Sequence, residues 1–287
     1  MNNSSPRLFA AARFAVAAIF TVIFVETAAA EIAVKNGEKI AFLGDSITQQ
    51  GWQNSVGYVK LVMAGLAANG VTAEPVPAGI SGHKSNDMLA RLERDVLSKK
   101  PQWMTLSCGV NDVWHGKKGV PLDDAAAASG EYDEKVAERG TYKKNIAEIV
   151  EKAQAAGIKV VMLTATVIQE NLDNAENAKL APFNEYLRAL AKEKKLPLAD
   201  LNGIFQERIK AEGKPGQKLL TVDGVHMNAE GNKVMATGIL QAFGLNEAQL
   251  KKAEGAWVAM AAEAKAAAEA KAKAAAEAKA KEAPATK

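Results

Sequence analysis

Short apolar runs alternate with amphipathic stretches along most of this chain. Lys39 to Leu43 and Ile158 to Leu163 are brief and almost wholly apolar, which is typical of buried strands. Between them, Asn86 to Leu97 places apolar residues every three or four positions, as one face of a helix requires. Strands that alternate with helices in this way predict one parallel sheet with helices on both faces, an α/β fold.

The same pattern predicts the remaining elements. Further strands are expected at Val71 to Pro77, Gln102 to Ser107 and Leu196 to Ala199, and further helices at Gly57 to Ala68, Tyr142 to Ala156, Asn184 to Lys194, Ile204 to Lys210 and Ala229 to Phe243. Residues 116–141 form a connection longer than an α/β unit needs. We interpret it as a solvated surface excursion, with a rim or lid over a cleft as the alternative. Trp114, His115 and Lys117 stand at its start.

The two ends of the chain differ from the middle in composition. Arg7 and Arg13 precede an apolar stretch, and Ala28-Ala29-Ala30 follows it, which is the layout of a secretory signal peptide over residues 1–30. We therefore expect a secreted or periplasmic protein after cleavage near Ala30. The apolar stretch is shorter than the roughly 20 residues that span a bilayer, so no integral membrane span is expected in the mature chain.

Residues 259–287 consist almost wholly of Ala, Lys and Glu. This composition favours a solvated, semi-rigid helix with no stripe of large apolar residues. We expect residues 31–258 to form one domain and residues 259–287 to form a low-complexity helical tail without a specific role. A spacer or a weak cell-surface contact is the alternative.

Two distant segments carry side chains that suit nucleophilic catalysis. Gly44-Asp45-Ser46 follows the apolar run at Lys39, at the strand end where open α/β sheets bind ligands. Asp223 precedes His226 by three positions, so one turn of chain lets the carboxylate reach the imidazole. A serine hydroxyl needs such a base, and the base needs a carboxylate that fixes its tautomer. Each segment alone is equally compatible with a helix cap or an ordinary turn.

Four blocks in order reveal a family resemblance. Gly44-Asp45-Ser46-Ile47-Thr48, Ile80-Ser81-Gly82, Gly109-Val110-Asn111-Asp112 and Asp223-Gly224-Val225-His226 resemble the signature blocks of the SGNH hydrolases, also called GDSL esterases and lipases. The resemblance spans roughly residues 40–243. It implies a three-layer α/β/α sandwich with a parallel, flavodoxin-like central sheet.

The resemblance also implies roles for individual residues. Ser46 would be the nucleophile, His226 the base and Asp223 its orienting carboxylate. The backbone N–H groups of Ser46 and Gly82 and the side-chain amide of Asn111 would form the oxyanion hole. We expect Asp45 and Asp112 to be supporting residues that accept hydrogen bonds from loop amides.

Charge and composition exclude other classes. The chain carries 36 Lys and Arg against 33 Asp and Glu, interspersed rather than clustered, so no nucleic-acid partner is expected. The three histidines show no metal-ligand spacing and no glycine-rich phosphate loop is present, so we expect no metal and no cofactor. Cys108, the single cysteine, is expected to be a small buried apolar residue.

The expected function is hydrolysis of carboxylic esters, with short acyl groups such as acetyl on carbohydrate favoured. A lysophospholipase or thioesterase, an O-acyltransferase, and a non-catalytic carbohydrate-binding module are the alternatives. The intact set of five site residues argues against the binding module, because binding needs no activated serine. Substrate identity, the choice between hydrolysis and transfer, and oligomeric state stay open at this point.

Overall fold

The computed structural model describes Met1 and residues 31–214 and 216–282. The predicted signal peptide over residues 1–30 therefore lies outside the described residues, apart from Met1. The described strands are β1 (Lys39–Gly44), β2 (Glu74–Gly79), β3 (Trp103–Ser107), β4 (Lys159–Leu163) and β5 (Leu198–Ala199). They form one sheet in the order β2-β1-β3-β4-β5, and every neighbouring pair is parallel.

Helices connect and cover the strands. The described helices are α1 (Ser46–Gln53), α2 (Tyr58–Ala68), α3 (Ser85–Asp95), α4 (Val110–Trp114), α5 (Asp124–Ala127), α6 (Glu134–Ala137), α7 (Tyr142–Ala155), α8 (Ala175–Glu193), α9 (Leu201–Glu212), α10 (Ala229–Ala242) and α11 (Glu247–Glu282), with short 3-10 turns at Leu97–Lys99 and Gly116–Lys118. Helix α10 contacts α2, α9 and α11, whereas α7 contacts α3 and α8.

These two groups of helices lie on the two faces of the sheet. All five residues of β3 are buried, as expected for a strand that is covered on both faces. The predicted three-layer α/β/α sandwich with a flavodoxin-like parallel sheet is therefore confirmed. Because β1 is followed by β2 on one side and β3 lies on the other, the chain changes direction at the carboxyl ends of β1 and β3. In open α/β sheets such a switch point is where ligands bind.

Most predicted elements agree with the structure to within a few residues, but helix α8 does not. It begins at Ala175, nine residues before the predicted start at Asn184. The Asn174 side chain caps this helix by accepting a hydrogen bond from the N–H of Asn177 at 2.7 Å. Pro182 lies inside the helix, although proline usually marks a helix end in a sequence.

The long connection over residues 116–141 lies at the surface and is tied to its neighbours. Its Pro121 carbonyl accepts a hydrogen bond from the N–H of Tyr142 at the start of α7, and Arg139 forms an ion pair of 2.7 Å with Asp87 of α3. Val120 is fully buried. The connection therefore has a defined conformation with short helices rather than being a structureless loop.

Helix α11 joins the predicted domain to the predicted tail without a break. Its first part packs on α2 through Leu250, Ala253 and Trp257, and the Trp257 indole N–H donates to the Leu61 carbonyl at 2.7 Å. Residues 261–277 are almost all exposed. The proposed boundary at residue 258 thus falls inside one helix, at the point where apolar anchors give way to the Ala, Lys and Glu sequence. None of the described helices is long and apolar enough to cross a membrane.

Candidate active site

Ser46, His226 and Asp223 form a continuous chain of hydrogen bonds at the carboxyl edge of the sheet. The His226 Nε2 atom lies 2.9 Å from the Ser46 hydroxyl, and the Nδ1 atom lies 2.6 Å from Oδ2 of Asp223. The other carboxylate oxygen of Asp223 accepts the backbone N–H groups of Val225 and His226 at 2.9 and 2.8 Å. The structure thus brings together three side chains that lie as much as 180 residues apart in sequence.

The electrostatics of Asp223 decide which nitrogen of the imidazole carries the proton. Partial burial, the largest influence, raises the pKa of Asp223, but hydrogen bonds from the His226 ring and from two backbone N–H groups outweigh it and lower the pKa to about 2. An ionised carboxylate can only accept hydrogen bonds. Nδ1 of His226 therefore donates to Asp223, and in the neutral form of the ring Nε2 is left as the acceptor for the Ser46 hydroxyl.

Ser46 is positioned by the turn from β1 into α1. Asp45 is the N-cap residue of α1, and its Oδ1 atom accepts the N–H of Ile47 at 2.9 Å. Ser46 is the first residue of the helix, so its own backbone N–H has no partner in the helical hydrogen-bond pattern. The helix fixes the direction of this N–H, and the N-terminal end of α1 adds the positive end of the helix dipole to the cleft.

Gly82 lies in the loop after β2, beside the end of β1. Its φ of +77° lies in the left-handed region, which favours glycine, although a Cβ atom there would meet nothing within 4 Å. Backbone conformation rather than space is therefore the reason for glycine here. The N–H of Gly82 donates to no group in the described parts of the chain, while the neighbouring Ser81 and His83 N–H groups are both bonded.

Asn111 reaches the same point from the start of α4, after β3. Its side-chain amide donates to the His83 carbonyl at 3.2 Å and to Asp45 Oδ2 at 3.4 Å. Its Oδ1 atom lies 3.2 Å from Nε2 of His115. His115, which the sequence places at the start of the long connection, therefore contacts a predicted site residue. The amide oxygen of Asn111 therefore lies against His115, and its nitrogen lies against His83 and Asp45.

The two supporting carboxylates are deeply buried. Asp112 accepts the N–H of Ser85 at 2.9 Å and the thiol of Cys108 at 3.4 Å, so it holds the loop after Gly82 against α4. Burial is the main reason why the pKa values of Asp112 and Asp45 are raised, the latter to about 6. Cys108 is buried, as expected, and burial also raises the pKa of its thiol. Across residues 31–214 and 216–282, no cluster of three or more metal-ligating side chains is found.

Arg91 was not predicted as a site residue, yet it supports the site from behind the loop that carries Gly82. This buried guanidinium donates to the Gly44 carbonyl at 2.8 Å, to the Ala78 carbonyl at 2.9 Å and to Nδ1 of His83 at 3.0 Å. It therefore joins the ends of β1 and β2 to the loop that carries Gly82. The signal was available in the sequence, because Arg91 stands next to Leu92 on the apolar face of its helix.

Comparison with known proteins identifies the family of this chain. Residues 42–234 match the model of the GDSL-like lipase/acylhydrolase family. The crystal structure of the acetyl xylan esterase AlAXEase is 34% identical, covers 71% of this chain and 98% of its own, and superposes with a TM-score of 0.59. An acetylxylan esterase of Geobacillus stearothermophilus is 25% identical over 230 residues, which is 74% of this chain and 96% of that protein.

A third relative, esterase TesA of Pseudomonas aeruginosa, is 29% identical over 142 residues, covering 50% of this chain and 58% of that protein. The family match extends from within β1 to within α10, so it includes all four motif blocks. The predicted resemblance and the predicted enzyme class are both confirmed. The chain belongs to the GDSL-like lipase/acylhydrolase family, the SGNH hydrolases, and is an ester-bond hydrolase.

Proposed function

We propose that this protein hydrolyses short acyl esters of carbohydrates, acetyl esters above all, with Ser46 as the nucleophile. The observation that carries the proposal is the hydrogen-bond chain from Ser46 through His226 to Asp223. A hydroxyl whose proton is already directed at a neutral imidazole nitrogen is ready for attack on a carbonyl carbon. The ionised Asp223 then stabilises the imidazolium that forms.

The first step forms the acyl-enzyme. The Ser46 oxygen attacks the ester carbonyl while its proton passes to Nε2 of His226. The carbonyl oxygen gains negative charge, and the N–H groups of Ser46 and Gly82 and the amide of Asn111 are the donors available to it. As the tetrahedral intermediate collapses, the alcohol oxygen leaves with the proton from His226.

The second step releases the acid. A water molecule attacks the acyl carbon as His226 removes its proton, and the returning proton restores the Ser46 hydroxyl. The Asn111 amide is suited to the oxyanion because its present contacts with His83 and Asp45 are long. Exchanging the contact with the His83 carbonyl for one with the oxyanion costs little, since a hydrogen bond to a charged acceptor is stronger than one to a neutral carbonyl.

Two observations support a carbohydrate ester as the substrate. The relatives at 34% and 25% identity are acetylxylan esterases, and this chain matches nearly the whole length of each. In addition, the Trp114 side chain is 42% exposed at the end of α4, and its ring centre lies 6.2 Å from that of His115, which contacts Asn111. An exposed aromatic face beside the site offers a flat apolar surface on which a sugar ring can stack.

The test compares acetylated xylooligosaccharides with p-nitrophenyl acetate, butyrate and octanoate, using residues 31–287 and its Ser46→Ala variant. We expect release of acetate from the sugar, turnover that falls as the acyl chain lengthens, and no turnover in the variant. Highest activity on octanoate or on a lysophospholipid would instead favour the lipase or thioesterase alternative. Transfer of acetyl to an added sugar at the expense of free acetate would favour the acyltransferase.

A Trp114→Ala variant tests whether the Trp114 ring stacks on the sugar of the substrate. We expect KM for acetylated xylooligosaccharides to rise about tenfold while p-nitrophenyl acetate is hydrolysed as before. The matched control is Trp52→Ala, because Trp52 lies in α1 and packs against Lys60 rather than beside Asn111. If Trp114→Ala had the wild-type KM for acetylated xylooligosaccharides as well as for p-nitrophenyl acetate, a sugar-stacking role would be contradicted.

We also propose that the protein is exported and that residues 1–30 are removed. The arginines, the apolar stretch and the run of small residues before Glu31 support this proposal. Expression of the full chain in a bacterial host, followed by sequencing of the mature N-terminus, tests it directly. We expect Glu31 as the first residue of a periplasmic or secreted product, and an intact N-terminus in the cytoplasm would refute it.

A further inference from the structure

Glu170, in the segment between β4 and α8, is the acceptor for four donors of the loop that carries Asp223 and His226. Its Oε2 atom accepts the N–H of Leu219 at 2.6 Å. Its Oε1 atom accepts the N–H groups of Leu220 and Thr221 at 2.9 and 2.8 Å, and the Thr221 hydroxyl at 2.7 Å. Three consecutive backbone N–H groups therefore converge on one carboxylate.

Thr221 links Glu170 to the far side of the loop. Its hydroxyl oxygen donates to Glu170 and accepts the N–H of Gly224 at 3.1 Å. Thr221 also pairs with Met227 in an antiparallel bridge, and the next residue, Val222, donates its N–H to the His226 carbonyl at 2.8 Å. The position of the imidazole is thus tied to a residue whose backbone and side chain are both held by Glu170.

The neighbouring residue, Gln169, holds the same loop at a second point. Its N–H donates to the Gly224 carbonyl at 2.8 Å, and its side chain fills the space that a Cβ atom on Gly224 would need. Gly224 has a φ of +104°, so both its conformation and this close approach require glycine. One segment after β4 therefore supports the loop through two adjacent residues.

The loop depends on these contacts because regular secondary structure supplies few of its hydrogen bonds. Apart from the Thr221 and Met227 bridge, the segment from residue 219 to residue 227 has no strand partner. Backbone N–H groups without a partner are costly when they are shielded from water, and a carboxylate acceptor makes stronger hydrogen bonds than a neutral group.

We propose that Glu170 is a positioning residue that sets the distance and direction of the His226 and Asp223 pair relative to Ser46. It contacts none of the reacting atoms and acts through Thr221 and Gly224. This inference rests on the proposed catalytic roles of Ser46, His226 and Asp223. A displacement of catalytic groups by about 1 Å can cost on the order of 100-fold in rate, so the loss should appear in turnover.

Two substitutions grade the effect, with hydrolysis of p-nitrophenyl acetate as the assay. Glu170→Ala removes every acceptor, and we expect kcat to fall about 100-fold with KM within twofold of wild type. Glu170→Gln keeps one oxygen but turns an NH2 group towards the N–H of Leu219, so we expect an intermediate loss of about tenfold. Glu185→Gln, at an exposed position in α8, is the matched control and should retain full activity.

A spectroscopic measurement separates positioning from general stability. In the wild type, the proton between His226 Nδ1 and Asp223 should give a downfield ¹H NMR resonance that is absent from His226→Ala. We expect this resonance to shift or broaden in Glu170→Gln while thermal unfolding stays cooperative. A folded Glu170→Gln variant with the wild-type resonance and kcat within twofold of wild type would overturn the proposal, whatever its melting temperature.

Further variants keep the test decisive. If Glu170→Ala does not fold, Glu170→Gln and Thr221→Val decide the question, because Thr221→Val breaks the link to Gly224 while keeping the side-chain shape. Loss of kcat in both variants supports the proposal, and wild-type kcat in either folded variant overturns it, because the proposed restraint runs from Glu170 through Thr221. Failure of the proposed function would look different, since wild type itself would then hydrolyse no ester while the resonance could still be followed through the variants.

Discussion

The two halves of the candidate site are built in opposite ways. The half that contains Ser46, Gly82 and Asn111 stands on the ends of three neighbouring strands, and Ser46 and Asn111 are only 9% and 4% exposed. The half that contains Asp223 and His226 is a loop before α10, and the Asp223 side chain is 49% exposed. One half takes its geometry from the sheet, and the other from side-chain hydrogen bonds.

This difference has an electrostatic counterpart. On the sheet side, burial raises the pKa values of Asp45 and Asp112. On the loop side, hydrogen bonds outweigh burial and lower the pKa of Asp223 to about 2. The carboxylate that we propose to stabilise an imidazolium, Asp223, is therefore the more exposed one. The buried carboxylates serve instead to hold loops together.

The largest predicted effect comes from breaking the contact between the two halves. Ser46→Ala and His226→Ala should each reduce kcat on p-nitrophenyl acetate by about 10⁶-fold, and the double variant should lose no more than either alone, because the groups act as a unit. Kinetics on the three purified proteins test this, with circular dichroism to confirm folding. Losses that multiply in the double variant would mean that the two residues act independently.

A smaller loss is expected when only the loop half is altered. Asp223→Asn should lower kcat by roughly 10⁴-fold, since the amide can favour the wrong tautomer of His226 while leaving the base in place. Steady-state kinetics beside His226→Ala provide the measurement. If a folded Asp223→Asn protein were as inactive as His226→Ala, Asp223 would have a larger role than orienting the ring.

Altering the sheet half at Asn111 should cost less again. We expect Asn111→Ala to lower kcat by roughly 100 to 1,000-fold with little change in KM, because the lost hydrogen bond matters most when the oxyanion forms. Asn111→Asp should lose at least as much, since a carboxylate cannot donate and would face Asp45. A rise in KM with unchanged kcat would place Asn111 in substrate binding instead.

The smallest expected effect concerns stability. Asp45 has a pKa of about 6 in the folded protein against 3.8 as the ordinary value, so the folded state binds more protons than the unfolded state between these pH values. Asp45 therefore makes the protein less stable as pH rises through this window, on the order of 3 kcal/mol in all. The free energy of unfolding of Asp45→Asn minus that of wild type should therefore increase from pH 4 to pH 7.

Urea unfolding of Asp45→Asn and wild type at both pH values measures this gain. Asp173→Asn, at an exposed position, is the control and should show no such change. A constant difference between Asp45→Asn and wild type at pH 4 and pH 7 would mean that Asp45 has an ordinary pKa in the folded protein.

The sheet half was largely predictable from sequence, and the supports of the loop half were not. Apolar strands followed by Gly44, Gly82 and Asn111 place those residues at one sheet edge by topology alone. Glu170 could not be found in this way, because three of its four donors are backbone N–H groups about 50 residues away, and backbone groups leave no mark in a sequence. The early start of α8 at Ala175 was not predicted either, because helix propensity is local, whereas a helix that contains Pro182 is stabilised by packing.

The central claim is that Ser46 is a nucleophile activated by His226 from the opposite half of the site. The most direct test is mass spectrometry after reaction with a fluorophosphonate, which labels serine hydroxyls only when they are activated. We predict one adduct per chain on the peptide that contains Ser46, no adduct in Ser46→Ala, and strongly slowed labelling in His226→Ala. Labelling of another residue, or equal labelling of wild type and His226→Ala, would contradict the account.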